Sequence, residues 1–242
     1  MNPLQLVKYD LYSIIKSPLT YIALILAILP QIGITYMFVH QNDSVPSGAI
    51  IGMAAWFFTV TGLLFVVKTI TRDLSQGTIQ LYMNKTKNRI GYIIAKTISI
   101  VLIAVLFMLI LTIYTQIVQA CVDTDSIKTH KYFDYLWFII LTYLFYGLFL
   151  FLIALIVPKP ALIFTLGIFL IIIVPVADSF LPMIPHFGDK IKDALKYIPF
   201  GYIPEKTQGT DQTFSNWQWF ITPASIVVLF VINLFYGAKK DI

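Results

Sequence analysis

Six long runs of apolar residues contain no Asp, Glu, Lys, Arg or His, and they constrain the fold more than any other feature of this chain. The runs cover residues 19–39, 49–67, 97–119, 135–157, 161–177 and 220–238. A helix needs about 20 mostly apolar residues to cross the ~30 Å hydrocarbon layer of a membrane. The sequence therefore predicts an all-α integral membrane protein, with residues 1–242 forming one transmembrane domain of six helices. The fifth run is the marginal one in length.

The composition agrees with that class of protein. Hydrophobic residues make up 58% of the chain and charged residues 12%, whereas a soluble domain carries about 25% charged residues. The formal charge of +5 does not indicate a nucleic-acid partner, because the basic residues sit mainly at the ends of the apolar runs. A single cysteine, Cys121, excludes an internal disulfide and a Cys-x-x-Cys metal or redox motif.

The uncharged runs also limit the chemistry. Proton relays, ion-coupling sites and intramembrane catalytic groups use ionisable side chains at membrane depth. Any process that this chain carries out across the membrane would therefore draw its energy from another source. The sequence contains no G-x-x-x-x-G-K-[ST] phosphate loop, no H-E-x-x-H and no G-x-S-x-G. We therefore predict a chain that is not itself an enzyme and that holds no metal or cofactor.

The distribution of charge predicts the orientation. With a cytoplasmic N-terminus, the inner segments hold 11 of the 17 Lys and Arg residues but three of the 12 acidic residues. Inner loops of membrane proteins are enriched in Lys and Arg. Both termini are therefore predicted to be cytoplasmic.

Two segments outside the runs are predicted to be helical. Residues 1–17 form an interfacial amphipathic helix in this prediction, with an apolar face that lies at the headgroup boundary. That face consists of Leu4, Val7, Leu11, Ile14 and Ile15. Residues 178–219 form an extracellular segment between the fifth and sixth spans. Its apolar residues at helical spacing predict a short amphipathic helix over 189–198.

Four polar residues share the outer part of the third span: Thr112, Thr115, Gln116 and Gln119. They have two interpretations. They line a substrate path, or they form hydrogen bonds between helices of the bundle. The second use is the commoner one for such residues in membranes, and we favour it.

Residues 71–96 form the most distinctive polar segment, and it lies between the second and third spans. It has an acidic residue four positions before Gly-Thr, then an apolar pair, an arginine and a lysine seven positions later. These are Asp73, Gly77-Thr78, Leu81-Tyr82, Arg89 and Lys96. This pattern resembles the signature of the ABC-2 family, the membrane subunits of type-2 ATP-binding-cassette exporters. Asp73 stands where Glu is usual, and Thr86 and Asn88 replace a frequent Pro and Ser.

The resemblance implies an assembly of two six-span membrane subunits and two cytoplasmic ATPase subunits that bind ATP and Mg. The second membrane subunit would be another copy or a paralogue. Residues 71–89 would form the coupling segment that docks on the ATPase. Its residues would be Arg72, Asp73, Gly77, Thr78, Ile79, Leu81 and Arg89, with Arg72 and Asp73 making charged contacts to that partner.

Small chains of this form resemble bacterial exporters of phenol-soluble modulins and other antimicrobial peptides. The resemblance therefore implies a subunit of an exporter that lies in the lipid bilayer of a bacterial plasma membrane. Its expected cargo is an amphipathic or hydrophobic substrate, with a peptide as the favoured kind, that is moved out of the cell. The alternative is an immunity or scaffold protein that sequesters a toxic peptide without transport. A solvated basic loop would explain Lys85, Lys87 and Arg89, but not Asp73 or Gly77-Thr78.

Overall fold

The computed structural model describes residues 3–40, 47–82, 85–122, 127–180, 188–209 and 212–239. Within these ranges the chain is helical almost throughout and contains no strand. The helices are α1 (Pro3–Ile15), α2 (Pro18–His40), α3 (Ser47–Ser75), α4 (Thr78–Tyr82), α5 (Thr86–Cys121), α6 (Thr129–Ile156), α7 (Pro160–Ile168), α8 (Val174–Phe180), α9 (Gly188–Leu195), α10 (Pro199–Gln208) and α11 (Asn216–Lys239).

The six predicted spans are confirmed as helices long and apolar enough to cross a membrane. They cover Pro18–Met37, Ile50–Ser75, Thr86–Cys121, Thr129–Ile156, Pro160–Ala177 and Asn216–Lys239. Two of them run well past their apolar cores at the same end of the bundle. α3 continues to Ser75 and α5 begins at Thr86, so both helices carry charged residues there.

α3 is the central helix of the bundle. In its most apolar stretch 72% of the residues are buried, compared with 17% in α2 and 22% in α11. The helices α2, α5, α6, α7 and α10 all pack on it. The approach of α6 is close because position 62 is glycine: a Cβ there would lie 1.8 Å from the Tyr143 hydroxyl oxygen. That hydroxyl donates to the Phe58 carbonyl at 3.0 Å.

The fifth span changes its hydrogen-bond pattern midway. α7 is followed by a π-helical turn over Phe169–Ile173, and α8 continues from it. Pro175 has no N–H to donate to the preceding turn, and π turns occur where the ordinary helical ladder is interrupted. The predicted end of this span near 177 is therefore close to the end of α8.

The N-terminal segment forms α1, which packs on α5. Its buried face consists of Leu6, Val7, Asp10 and Ile14, whereas Leu4 and Ile15 are more than half exposed. The predicted apolar face and the face that packs on α5 therefore share Val7 and Ile14, whereas Leu4 and Ile15 point away from the packed surface. Placement of α1 at the membrane interface stays a prediction.

Within residues 188–209, the described part of the segment between the fifth and sixth spans, there are two helices where one was predicted. α9 corresponds to the helix predicted over 189–198 but ends at Leu195. α10 was not predicted, and its Tyr202 and Ile203 are fully buried. The Tyr202 and Thr222 hydroxyls lie 2.7 Å apart, which joins α10 to α11. The extracellular location of this segment stays a prediction.

Candidate functional site

Four charged side chains from three helices meet at the end of the bundle where α3 ends and α5 begins. Asp10 comes from α1, Arg72 and Asp73 from α3, and Lys96 from α5. Asp10 is 0% exposed, and Asp73 and Lys96 are each 1% exposed. We call these four residues the ion cluster.

Lys96 is the centre of the ion cluster. Its Nζ lies 3.0 Å from each Asp10 carboxylate oxygen and 2.7 Å from Asp73 Oδ2. It also donates to the Thr69 carbonyl at 3.2 Å. An ammonium group has three protons, so Asp10, Asp73 and Thr69 use the full donor capacity of this lysine.

Arg72 closes the other side of the ion cluster. Its Nη2 contacts Asp10 Oδ1 and lies 2.9 Å from Asp73 Oδ1. The guanidinium also stacks over the Tyr9 ring, with 4.7 Å between Cζ and the ring centroid. The two carboxylates and two cations sum to zero charge, which is the condition under which buried charges are tolerated.

Two hydroxyl groups complete the hydrogen bonds of the carboxylates. Tyr92 donates to Asp73 Oδ2 at 2.9 Å, and Ser99 donates to Asp10 Oδ2 at 2.8 Å. Tyr92, Lys96 and Ser99 share one face of α5 because they are spaced by four and three residues. The ion cluster therefore ties α1 and α3 to one face of α5.

The segment after the ion cluster turns at Gly77. Its φ of 65° is left-handed, a conformation that costs a non-glycine residue about 1–2 kcal/mol. Thr78 then donates to the Asp73 carbonyl at 3.3 Å, and Ile79 of α4 is buried. The ring of Tyr82 stacks on that of Tyr92 at 5.5 Å between centroids.

Burial raises the pKa of the Tyr82 phenol, and the nearby Asp73 carboxylate adds to the shift. The phenol therefore stays neutral above the pH at which tyrosine ordinarily ionises. At the other end of the segment, Arg89 Nη1 donates to the Ala238 carbonyl at 3.1 Å. This bond fixes the start of α5 to the end of α11.

The predicted coupling residues thus fall into different environments. Arg72 and Asp73 were expected to contact an ATPase partner. Both side chains form ion pairs within the chain, with Asp73 buried and Arg72 half-buried, and their contact with a partner stays a prediction. Leu81 belongs to α4, and its side chain is not among those that the structure describes. Among the described side chains of residues 71–89, the exposed ones are Ser75, Gln76, Gly77, Lys85, Thr86 and Lys87. We call these six residues the exposed tip.

The four polar residues of the third span do not share one environment. Thr115 is buried, donates to the Thr112 carbonyl at 2.9 Å and lies 3.2 Å from the Tyr132 hydroxyl of α6. Thr112 donates to the Met108 carbonyl within its own helix. Gln119 is half-buried and Gln116 is exposed. The contact between Thr115 and Tyr132 joins two helices, which is the use that we favoured.

Sequence reasoning missed Asp10 and Tyr92 as members of this site and treated Lys96 only as the end of a motif. A signal was present in the chain. Asp10 lies at helical spacing between Leu6 and Ile14, so it shares the packing face of α1. A carboxylate on that face requires a cation from elsewhere in the chain. No group of three His, Cys, Asp or Glu side chains in the described ranges is arranged to hold a metal ion.

Residues 19–242 match the family described as protein of unknown function DUF2705, and the chain belongs to that family. The match begins after α1, so it includes Arg72, Asp73 and Lys96 but not Asp10. No protein with a curated description matches the chain in sequence.

Proposed function

We propose that this chain is the membrane-spanning subunit of an ATP-driven exporter of the ABC-2 type. In this proposal a second membrane subunit and two cytoplasmic ATPase subunits complete the assembly, and the ATPases bind ATP and Mg. The observation that carries the proposal is the exposed tip between α3 and α5, fixed to the bundle by the buried ion cluster. Both termini and the exposed tip would then lie in the cytoplasm of a bacterium.

The way in which the ion cluster connects the exposed tip to the bundle supports this proposal. A partner that moves the exposed tip pushes on a segment whose base is held by Lys96 and Arg72, and these side chains contact α1, α3 and α5 together. Buried and paired charges resist separation, because breaking one pair leaves an uncompensated charge. Movement at the tip would therefore displace three helices as a unit instead of bending a loop.

The proposed cargo is an amphipathic or hydrophobic peptide. The six apolar runs contain no ionisable side chain, and ionisable side chains at membrane depth mark the pathways of ions and other hydrophilic substrates. An apolar cargo can follow the surfaces that the spans present to lipid. This chain would supply the path, and the ATPase would supply the energy.

Gly77→Val tests the coupling role with little change elsewhere. A Cβ at Gly77 would meet no heavy atom within 4 Å, so the effect comes from the left-handed backbone that valine resists. Gly33→Val is the matched control, because a Cβ at Gly33 also has open space but its backbone is helical. We expect wild type and Gly33→Val to co-purify from native membranes with an ATPase that carries a phosphate loop, near 1:1. We expect Gly77→Val to insert normally and lose most of that ATPase.

Failure of any phosphate-loop protein to accompany the wild-type chain would overturn the exporter proposal. The remaining candidate would then be a peptide-sequestering immunity or scaffold protein. The two differ in their dependence on ATP: substituting the phosphate-loop lysine of the ATPase should abolish protection against the toxic peptide in an exporter. Protection by sequestration would be unchanged.

A further inference from the structure

A polar cavity of about 450 Å³ lies at the opposite end of the bundle from the ion cluster. It is lined where α3 and α6 begin and where the chain enters α11, and its walls include Gly48, His130, Lys131, Asp134 and Gln212. None of these residues belongs to the exposed tip or to the ion cluster. The cavity is therefore a separate feature of the molecule.

Some of the groups that line the cavity favour an anion. Gly48 is the second residue of α3, and His130 is the second residue of α6. Helix N-termini present unpaired N–H groups and a partial positive charge. Lys131 adds a full positive charge, and its ammonium forms no ion pair within the described parts of the chain. Phosphate groups bind at helix N-termini for these reasons.

Other groups that line the cavity accept hydrogen bonds. The Asp134 carboxylate is half-buried and has no hydrogen bond or ion pair among the described residues. Gln212 is 1% exposed; its Nε2 donates to the Thr207 carbonyl at 3.0 Å, but its Oε1 has no donor in that same part of the protein. A buried acceptor without a donor is costly, and a primary ammonium group, with three protons, suits both acceptors.

We propose that this cavity binds an aminoethyl phosphate group, with the phosphate at Lys131 and the two helix N-termini and the ammonium at Asp134 and Gln212. A bare phosphate would be repelled by Asp134, and a quaternary ammonium has no N–H for Gln212 Oε1. Gly48 and His130 lie beside the first residues of two spans, which is the level of lipid headgroups. The source that fits this depth is the headgroup of phosphatidylethanolamine. The inference does not depend on the exporter proposal.

The first experiment is calorimetric titration of the detergent-purified full chain with O-phosphoethanolamine. We expect saturable 1:1 binding that is at least tenfold tighter than binding of O-phosphocholine or inorganic phosphate. Asp134→Asn and Lys131→Gln should each weaken it about tenfold, because each removes a charge-assisted hydrogen bond. Asp193→Asn is the matched control. Asp193 is an exposed carboxylate of α9 that pairs with Lys196, and it does not line the cavity.

The second experiment is native mass spectrometry of the chain from nanodiscs that contain phosphatidylethanolamine or phosphatidylglycerol. Retention of one phosphatidylethanolamine by wild type, lost in Asp134→Asn, supports the lipid source. Binding of the soluble compound without retention of the lipid supports the same site with a free ligand. Equal binding of phosphocholine, or equal weakening by Asp193→Asn, overturns the proposal.

Discussion

The ion cluster and the cavity, at the two ends of the helix bundle, differ in the burial and the pairing of their charged side chains. At one end Asp10, Asp73 and Lys96 are almost completely buried, and every charge of the ion cluster has a partner. At the other end Lys131 and Asp134 lie three residues apart on α6 and line an open cavity without pairing. Charges that are buried together hold helices in place, whereas charges that are left open are free to bind a ligand.

The difference has a physical origin. A buried cluster must be complete, because a missing partner leaves an ion in a medium of low dielectric constant. Around the cavity the charged groups are exposed or half-buried, so water solvates them and completeness is not required. The same residue types therefore have a structural role at one end and a recognition role at the other.

Among the substitutions that test this comparison, Lys96→Met is expected to lower the stability of the bundle most. It leaves Asp10 and Asp73 with one cation between them, and breaking a buried ion pair costs about 3–5 kcal/mol. The measurement is the midpoint of unfolding of the detergent-solubilised chain in sodium dodecyl sulfate. Lys190→Met, at an exposed lysine of α9, is the control and should leave the midpoint nearly unchanged. Equal midpoints for the two variants would show that the ion cluster does not stabilise the bundle.

Asp10→Asn should have a smaller and more local effect. The change leaves two cations with one carboxylate, but the Arg72 side chain is 12% exposed, so water can solvate part of the excess charge. The amide oxygen still accepts from Lys96 or Ser99, and we therefore expect a loss of about 1.5–3 kcal/mol, the range for a hydrogen bond to a charged group. Amide hydrogen exchange in α1 should rise at least tenfold, while exchange at the centre of α3 changes little. Unchanged protection of α1 would mean that its apolar contacts alone hold it in place.

Tyr202→Phe tests a neutral contact outside the ion cluster. Thr222 already donates to the Gln218 carbonyl at 2.8 Å, so the Tyr202 hydroxyl is the donor to Thr222. Its removal should cost about 1 kcal/mol, as for a typical neutral hydrogen bond, in the same denaturation assay. A loss as large as that of Lys96→Met would contradict the distinction between charged and neutral contacts.

Asp134→Asn should have the smallest effect on stability. The side chain is half-buried and has no partner among the described residues, so without added ligand the change should stay within about 0.5 kcal/mol. The midpoint of thermal unfolding, monitored by tryptophan fluorescence, measures it. A drop comparable to that of Asp10→Asn would show that Asp134 has a structural partner and would remove the contrast between the two ends.

Much of the architecture was predictable from the sequence because transmembrane helices are specified locally. An uncharged run of about 20 residues must form a helix in lipid to satisfy its own backbone, and this rule located all six spans. It did not predict α10, whose ten residues include two prolines and one glycine. Tyr202 and Ile203 are helical and buried there because of packing against neighbouring helices.

The candidate site was predictable only in part. The spacing of Arg72, Asp73 and Gly77 identified the segment, and the need for a left-handed residue at a tight turn explains the glycine. The interpretation of Arg72 and Asp73 as contacts to a partner came from the resemblance to the ABC-2 signature, and a sequence motif does not give the direction of a side chain.

The sequence by itself determined the six spans, the distribution of basic residues and the turn at Gly77, because each depends on residues close together in the chain. The tertiary structure alone decided where the charges go. Asp10 and Lys96 are 86 positions apart in the sequence, and no local pattern pairs them. Their contact exists because α1 packs on α5, and burial of a carboxylate on that surface is stable only where an ammonium group meets it.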